Sequence, residues 1–399
     1  MAFKKYTKEQ AKKAKEDKAE KLSTFTEDRL TQILNSFEQL PDNKPVWLSP
    51  VFFSRAINIS SNVVYSQSNT VHLAHQIFAR AVKDDRPKNQ YSGLPFFMTY
   101  KQAEKEGLQI EKGSKSYQIL KSFGQLVSFD KREEETGTGK ITYKEYQFYR
   151  ASQTISPVFM LSDFTGELSD RLKRNMRINT EKPTEEHIAA LVSALEASSP
   201  VRVLRTGSFT SKSGSFYSPS HDVVNIPPSP FFKSPVNEMS TLAHEIAHSW
   251  GHEERFNRDS LRDYGKDDRI RAEEELVANV AAQAVLNHFN VVMTTEESQE
   301  SFSANHDVYD FGWASHLKTD REAVERAMFN ADKTAAKIIH ALELELVSQY
   351  LINPDLPVSE FTKERILAKQ SQVESQVESE NKEDNVIEAD NKQTQKPKF

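Results

Sequence analysis

An α+β protein of two domains is the architecture that the sequence predicts, and three observations carry that prediction. The chain has 399 residues, and a single hydrophobic core rarely grows much beyond about 250, so two compact bodies are expected. In the front half, helical spacing mixes with two alternating segments rich in Tyr, Phe, Ile and Val, SYQILKSFGQLVSFD and ITYKEYQFYRASQ. The back half has mainly the 3.6-residue period, with short strand-like pieces between.

The elements follow in order. Residues 1–22 are charged and poor in aromatics, which predicts a flexible segment or frayed, exposed helix. Residues 23–39 place Leu30, Ile33, Leu34 and Phe37 at helical spacing behind a possible cap at Ser23 or Thr24, and the first domain is expected over 23–168. VHLAHQIFARAV (71–82) reads as a second helix, and KREEETGTGK (131–140) as the charged loop joining the two alternating strands. The stretch 169–183, with its charges and proline, reads as a linker. The second domain, 184–352, is expected to hold a helix in EEHIAALVSALEAS, strands in VRVLRTG and in the segment closed by IPPSP, and helices near 238–252, 270–289 and 320–350. From 368 to 399 large apolar residues almost vanish, which predicts a disordered tail.

Composition narrows the chemistry. There is no cysteine, so thiolate metal sites, disulfides and cysteine nucleophiles are excluded. The N-terminal stretch lacks the apolar core of a secretory signal and no run of about 18 apolar residues occurs, so a cytoplasmic protein is expected. The net charge of −6 divides unevenly: residues 1–166 hold 25 Lys and Arg against 19 Asp and Glu, leaving 27 against 39 for the rest. A basic front half is compatible with a polyanionic partner.

The chemical motif is TLAHEIAHSWGH (241–252). On a helix, His244 and His248 lie one turn apart on one face, where they can grip one ion with Glu245 beside it. In a chain of this composition the pattern arises by chance roughly 3 times in 100, so it points to a zinc peptidase centre. Zinc then needs a third protein ligand and an open position. Two candidates compete. Gly251 stands at the glycine of the metzincin pattern, but Glu254 holds the place of its third histidine, with His252 two residues early. The favoured candidate is Glu275, with Glu274 in reserve, from the later helix AEEELVANVAAQAV, the gluzincin-like layout. In either case Glu245 is the expected general base of a metallopeptidase. Tyr264, His306 and Tyr309 are the candidate oxyanion donors.

TLAHEIAHSWGHEERFNRDSL with RAEEELVANVAAQAVL resembles the zincin domain of the ArdC family of antirestriction proteins, which travel on plasmids, phages and other mobile elements. YSPSHDVVNIPP (217–228) and the segment 305–339 extend the likeness. The resemblance implies one Zn2+ on His244, His248 and Glu275 with Glu245 catalytic; Asn279 stands where members usually carry a second glutamate. The front half is similar to the family's domain for binding single-stranded DNA. YSQSN (65–69) and the 96–116 segment carry that likeness, with Gln67 in place of a glycine. It implies DNA contacts at Tyr65, Asn69, Lys112 and Lys115. Aromatics Tyr65, Tyr91, Phe96, Phe97, Tyr100 and Tyr117 interleave there with basic residues, the mixture a stacking groove needs. The expected function is therefore that of an ArdC-like antirestriction protein. The alternatives are a metallopeptidase acting on DNA-associated proteins, or a non-catalytic DNA-binding scaffold with structural zinc.

Overall fold

The structure is a computed structural model and describes residues 8–38, 55–81, 94–135, 141–206, 214–291 and 317–375. Contacts divide the chain into two units. The first comprises Met1–Asn35, Ala56–Tyr65 and Asn69–Ser169; the second comprises Ser36–Arg55, Ser66–Ser68 and Asp170–Phe399. That division differs from the contiguous spans expected. The reason lies in Arg55, Gln67 and Ser68. Arg55 is buried and donates to the Asn287 and Asn179 carbonyls, Gln67 accepts from Asn287, and the Ser68 N–H donates to Asp332.

The first unit is built on a sheet of order β2-β1-β3-β6-β5, with β1 Ile57–Asn58, β2 Val63–Val64, β3 Phe96–Met98, β5 Tyr117–Glu135 and β6 Ile141–Met160. A two-stranded sheet joins β4 (Gln109–Ile110) to β7 (Phe164–Thr165). Helix α1 (Lys8–Glu38) has no break at residue 23. Thr24 caps nothing, because its hydroxyl donates back to the Glu20 carbonyl at 3.1 Å inside the helix. Helix α2 (Gln67–Ala81) packs Leu73 and Ile77 against Ala56, Phe97, Tyr117, Ile119, Val158 and Met160. Helix α3 (Tyr100–Lys105) starts at Thr99, whose hydroxyl and Gln102 form a capping box.

The α2 helix also closes the open edge of β5. Asn69 donates to the Leu120 carbonyl and accepts from its N–H, both at 2.8 Å. Gln76 does the same for Gln118, at 2.9 and 3.0 Å. Arg80 then donates to the Lys115 and Ser116 carbonyls, each at 2.7 Å. Side-chain amides thus take the place of a neighbouring strand, the pairing that edge backbone otherwise lacks.

The second unit is mostly helical. The expected linker contains helix α4 (Asp170–Thr180), because Leu172, Asn175 and Asn179 fall on one face and are buried. Helix α5 (Glu185–Ala197) leads to a three-stranded sheet of order β8-β10-β9, with β8 Arg202–Arg205, β9 Phe216–Ser218 and β10 Val223–Ile226. Around helix α6 (Pro235–Ser249) pack α5, β10, α8 (Asp268–His288), which follows the short helix α7 (Asp259–Arg262), and α9 (Arg321–Ile352). Every residue from Asn237 to Ser249 is buried. Ala243 and Ala247, fully buried, let the neighbouring elements approach closely. A last helix, α10, covers 360–375, so the first part of the expected disordered tail is helical. Phe361 anchors it, with the guanidinium carbons of Arg55 and Arg365 at 4.9 and 4.5 Å from its ring centroid. Residues 376–399 lie outside the described residues.

Candidate metal centre

Helix α6 begins at Ser234, whose hydroxyl accepts from the Asn237 N–H, with Pro235 in the first turn where no N–H is needed. Two turns on, His244 and His248 point their rings together, with Nε2 atoms 3.0 Å apart and both side chains buried. Glu275 enters from α8: its Oε2 lies 3.4 Å from His244 Nε2 and its Oε1 3.6 Å from His248 Nε2. In a tetrahedral zinc site with bonds of about 2.0–2.1 Å, ligand atoms stand about 3.3–3.4 Å apart. One ligand atom from each of the three residues lies within 4.8 Å of the others, and the two Glu275 distances run to different oxygens, so the donor set is near the size a divalent ion needs.

Supporting contacts orient the ligands. His248 Nδ1 lies 3.0 Å from Glu274 Oε1; an ionised carboxylate only accepts, so Nδ1 carries the hydrogen and Nε2 presents its lone pair to the centre. Glu274 is fully buried and is held by Arg258 Nε at 3.0 Å, Arg258 Nη2 at 2.5 Å and the Ser260 hydroxyl at 2.6 Å. Burial alone would raise its pKa, but Arg258 and His248 bring it down to about 2. Arg258 continues to the Ala247 carbonyl and the Thr334 hydroxyl, tying α6, α8 and α9 to one guanidinium.

Glu275 receives the Tyr264 hydroxyl at 2.5 Å. Burial, and then the Glu275 charge, keep that phenol protonated far above its ordinary range. Asn279 donates to the Glu275 carbonyl at 2.8 Å and its side chain also bonds His244. For His244, burial works against the charged form, yet the Glu275 bond and the charges of Glu275 and Glu245 raise its pKa overall. Glu245 is buried on the same helix, close enough for its charge to act on both His244 and Tyr264.

Other sequence candidates fall elsewhere. Glu254 is exposed and clusters with His252 and Asp222, away from the histidine pair. Asp222 there binds Arg255 and, at 2.6 Å, the Tyr217 hydroxyl, so the carboxylate is already engaged. Gly251 also has a different reason from the metzincin one: a Cβ on it would stand 2.8 Å from Arg258 Nη2. His306 and Tyr309 lie outside the described residues. Sequence reasoning missed Arg258 and Ser260, which carry no local signal.

In the first unit the proposed DNA residues separate into two kinds. Asn69 is 8% exposed with both ends of its amide on Leu120, which gives it a structural task. Tyr65 is half-buried, edge-on to Phe97, and its hydroxyl accepts from Asn58 at 3.3 Å; burial pushes its pKa up to about 12. Lys112 and Lys115 are exposed at a turn closed by the Ser114 N–H on the Glu111 carbonyl, with Gly113 at φ +97°. Phe96, Phe97 and Tyr117 are core, whereas Tyr100 is 54% exposed; Tyr91 lies outside the described residues.

Residues 23–159 match the family model for the N-terminal domain of anti-restriction factor ArdC, and residues 196–330 match that for a zincin-like metallopeptidase. The chain thus joins an ArdC-type N-terminal domain to a zincin-like metallopeptidase domain. Two curated relatives from Escherichia coli, both called DNA primase TraC, are 28% and 25% identical over 60% and 59% of the chain. The matches take in only 21% and 15% of those relatives, so the chain spans about a fifth or less of their length. Two crystal structures of antirestriction ArdC protein from plasmid R388, one metal-free and one Mn(II)-bound, are 21% identical to it at a TM-score of 0.48. They cover 79% of this chain, and it covers 96% and 97% of theirs. Among the described residues, no helix is long and apolar enough to cross a membrane.

Proposed function

We propose that the chain is an antirestriction protein of a mobile element, whose first unit binds single-stranded DNA and whose second unit is a zinc-dependent peptidase. One observation carries the enzymatic half: buried ligand atoms of His244, His248 and Glu275, from α6 and α8, converge within 4.8 Å of one another, with a buried carboxylate, Glu245, on the same helix as the histidines. His244, His248 and Glu275 would hold the ion. Bound there, it would acidify a water and polarise a peptide carbonyl. Glu245 takes the proton from the attacking water and returns it to the leaving amine. The Glu274–Arg258 pair keeps His248 in the required tautomer throughout.

A purely structural zinc site usually has four closed protein ligands and no adjacent base, which favours a catalytic centre. For the DNA half, the support is the match over residues 23–159 and the exposure of Lys112, Lys115 and Tyr100. A cytoplasmic location fits both halves. The alternative of a peptidase directed at DNA-associated proteins uses the same residues and differs only in what is cut.

The test pairs metal analysis with a functional split. Glu245→Gln is expected to retain one zinc per chain and to lower peptide hydrolysis by at least about 100-fold. Protection of incoming DNA from restriction that survives this change would separate antirestriction from proteolysis. Stoichiometric zinc in His244→Ala would remove the metal assignment.

A further inference from the structure

The supporting contacts of the three candidate ligands are unequal in one respect. His248 is held through the nitrogen that faces away from the centre, but Glu275 is held through one of its two possible ligand atoms. The Tyr264 hydroxyl donates to Oε1 at 2.5 Å, and that oxygen lies 3.6 Å from His248 Nε2, while Oε2, which Tyr264 does not engage, lies 3.4 Å from His244 Nε2. The phenol ring is itself fixed. It stands edge-on to the His248 ring at 6.2 Å between centroids, and the Arg271 guanidinium carbon is 5.3 Å from its centroid.

An oxygen that accepts a short O–H bond has less electron density to offer a cation, so the other oxygen becomes the better donor. A carboxylate that used both oxygens would fill a further coordination position, and a hydrolytic site needs that position for solvent or substrate. We propose that Tyr264 is a positioning residue: its hydroxyl restricts Glu275 to ligation through Oε2 alone and so keeps one corner of the ion open. This inference rests on the metal reading above and adds a residue to it.

Cobalt(II) provides a test that does not depend on turnover, because four-coordinate cobalt absorbs visible light several-fold more strongly than five-coordinate cobalt. The unmodified full-length chain is expected to give the strong four-coordinate band. Tyr264→Phe is expected to bind cobalt with a band several-fold weaker, as Glu275 closes onto the ion with both oxygens. A second measurement needs no variant and so does not depend on how Tyr264→Phe folds. The cobalt-minus-apo infrared difference spectrum of the unmodified chain should show the wide splitting of carboxylate stretches that one-oxygen ligation gives. Identical visible bands in parent and Tyr264→Phe, or a narrow two-oxygen splitting in the parent, would overturn the role of Tyr264 while leaving the metal site standing. Cobalt uptake that is equal in the parent and in His244→Ala would instead remove the metal site, and the inference with it.

Discussion

At the scale of single residues, Glu273, Glu274 and Glu275 show how adjacent identical side chains acquire different work. Successive helical residues point about 100° apart. Glu273 therefore reaches Arg326 at the surface, Glu274 reaches Arg258 and His248, and Glu275 reaches the histidine pair. The pairing of His244 with His248 was legible because it needs only the helical period. The choice among the three acids was not, because it depends on which face α8 turns to α6. Gly251 carries the sharpest residue-scale prediction. In Gly251→Ala the new methyl would sit 2.8–2.9 Å from three atoms of the Arg258 guanidinium and must displace it from Glu274. We expect metal affinity to drop about 10- to 100-fold and stability to fall by about 1–3 kcal/mol. Chelator competition and urea denaturation measure the two effects, and parent-like affinity would mean that Arg258 does not position His248 through Glu274.

At the scale of elements, the sheet edge sealed by α2 changes how Asn69 is to be understood. The residue was singled out by likeness to a DNA-binding element, yet its amide is engaged on both sides by Leu120. Asn69→Ala should strand that backbone N–H and carbonyl and destabilise the first unit by about 1–3 kcal/mol. Lys112→Ala with Lys115→Ala touches only exposed side chains. The double variant should melt as the parent does and weaken single-strand binding, with the salt slope reduced by up to about 1.4. Titrations at several salt concentrations beside melting curves decide the matter; an unchanged slope in the lysine variant would place the phosphate contacts elsewhere. Element types were readable wherever periodicity was strong, as in α5, α6, α8 and the β5–β6 hairpin. They were obscured where polar composition masked a buried face. In α4 the buried positions include Asn175 and Asn179, and in α1 the threonines bond back within the helix rather than ending it.

At the scale of the whole molecule, buried ionisable groups set an acid limit. Burial, followed by the charge of Arg29, lowers His72 from 6.5 to about 3. His288 falls to about 4 by burial and the nearby Arg365 charge. Each folded value lies below the unfolded one, so the unfolded chain takes up more protons as pH drops through 6.5. Stability is therefore full above that point and declines toward the folded values. Glu274 and Glu343, both at about 2 against 4.5 unfolded, add a second decline below pH 4.5. We expect the urea midpoint to begin falling already between about pH 6.5 and 5, and His72→Leu to flatten that portion of the profile. A midpoint constant down to pH 4.5 would show that the histidines are not held neutral.

The ring of Phe361, clasped between Arg55 and Arg365, has a consequence for biosynthesis. Segments separated by some three hundred positions along the chain must meet before this body is finished, and contacts of such long range form late. The first unit can organise its sheet while translation continues, but the second unit must wait until residue 365 has cleared the ribosome. Until then Arg55, buried in the finished fold, has no aromatic face to rest on.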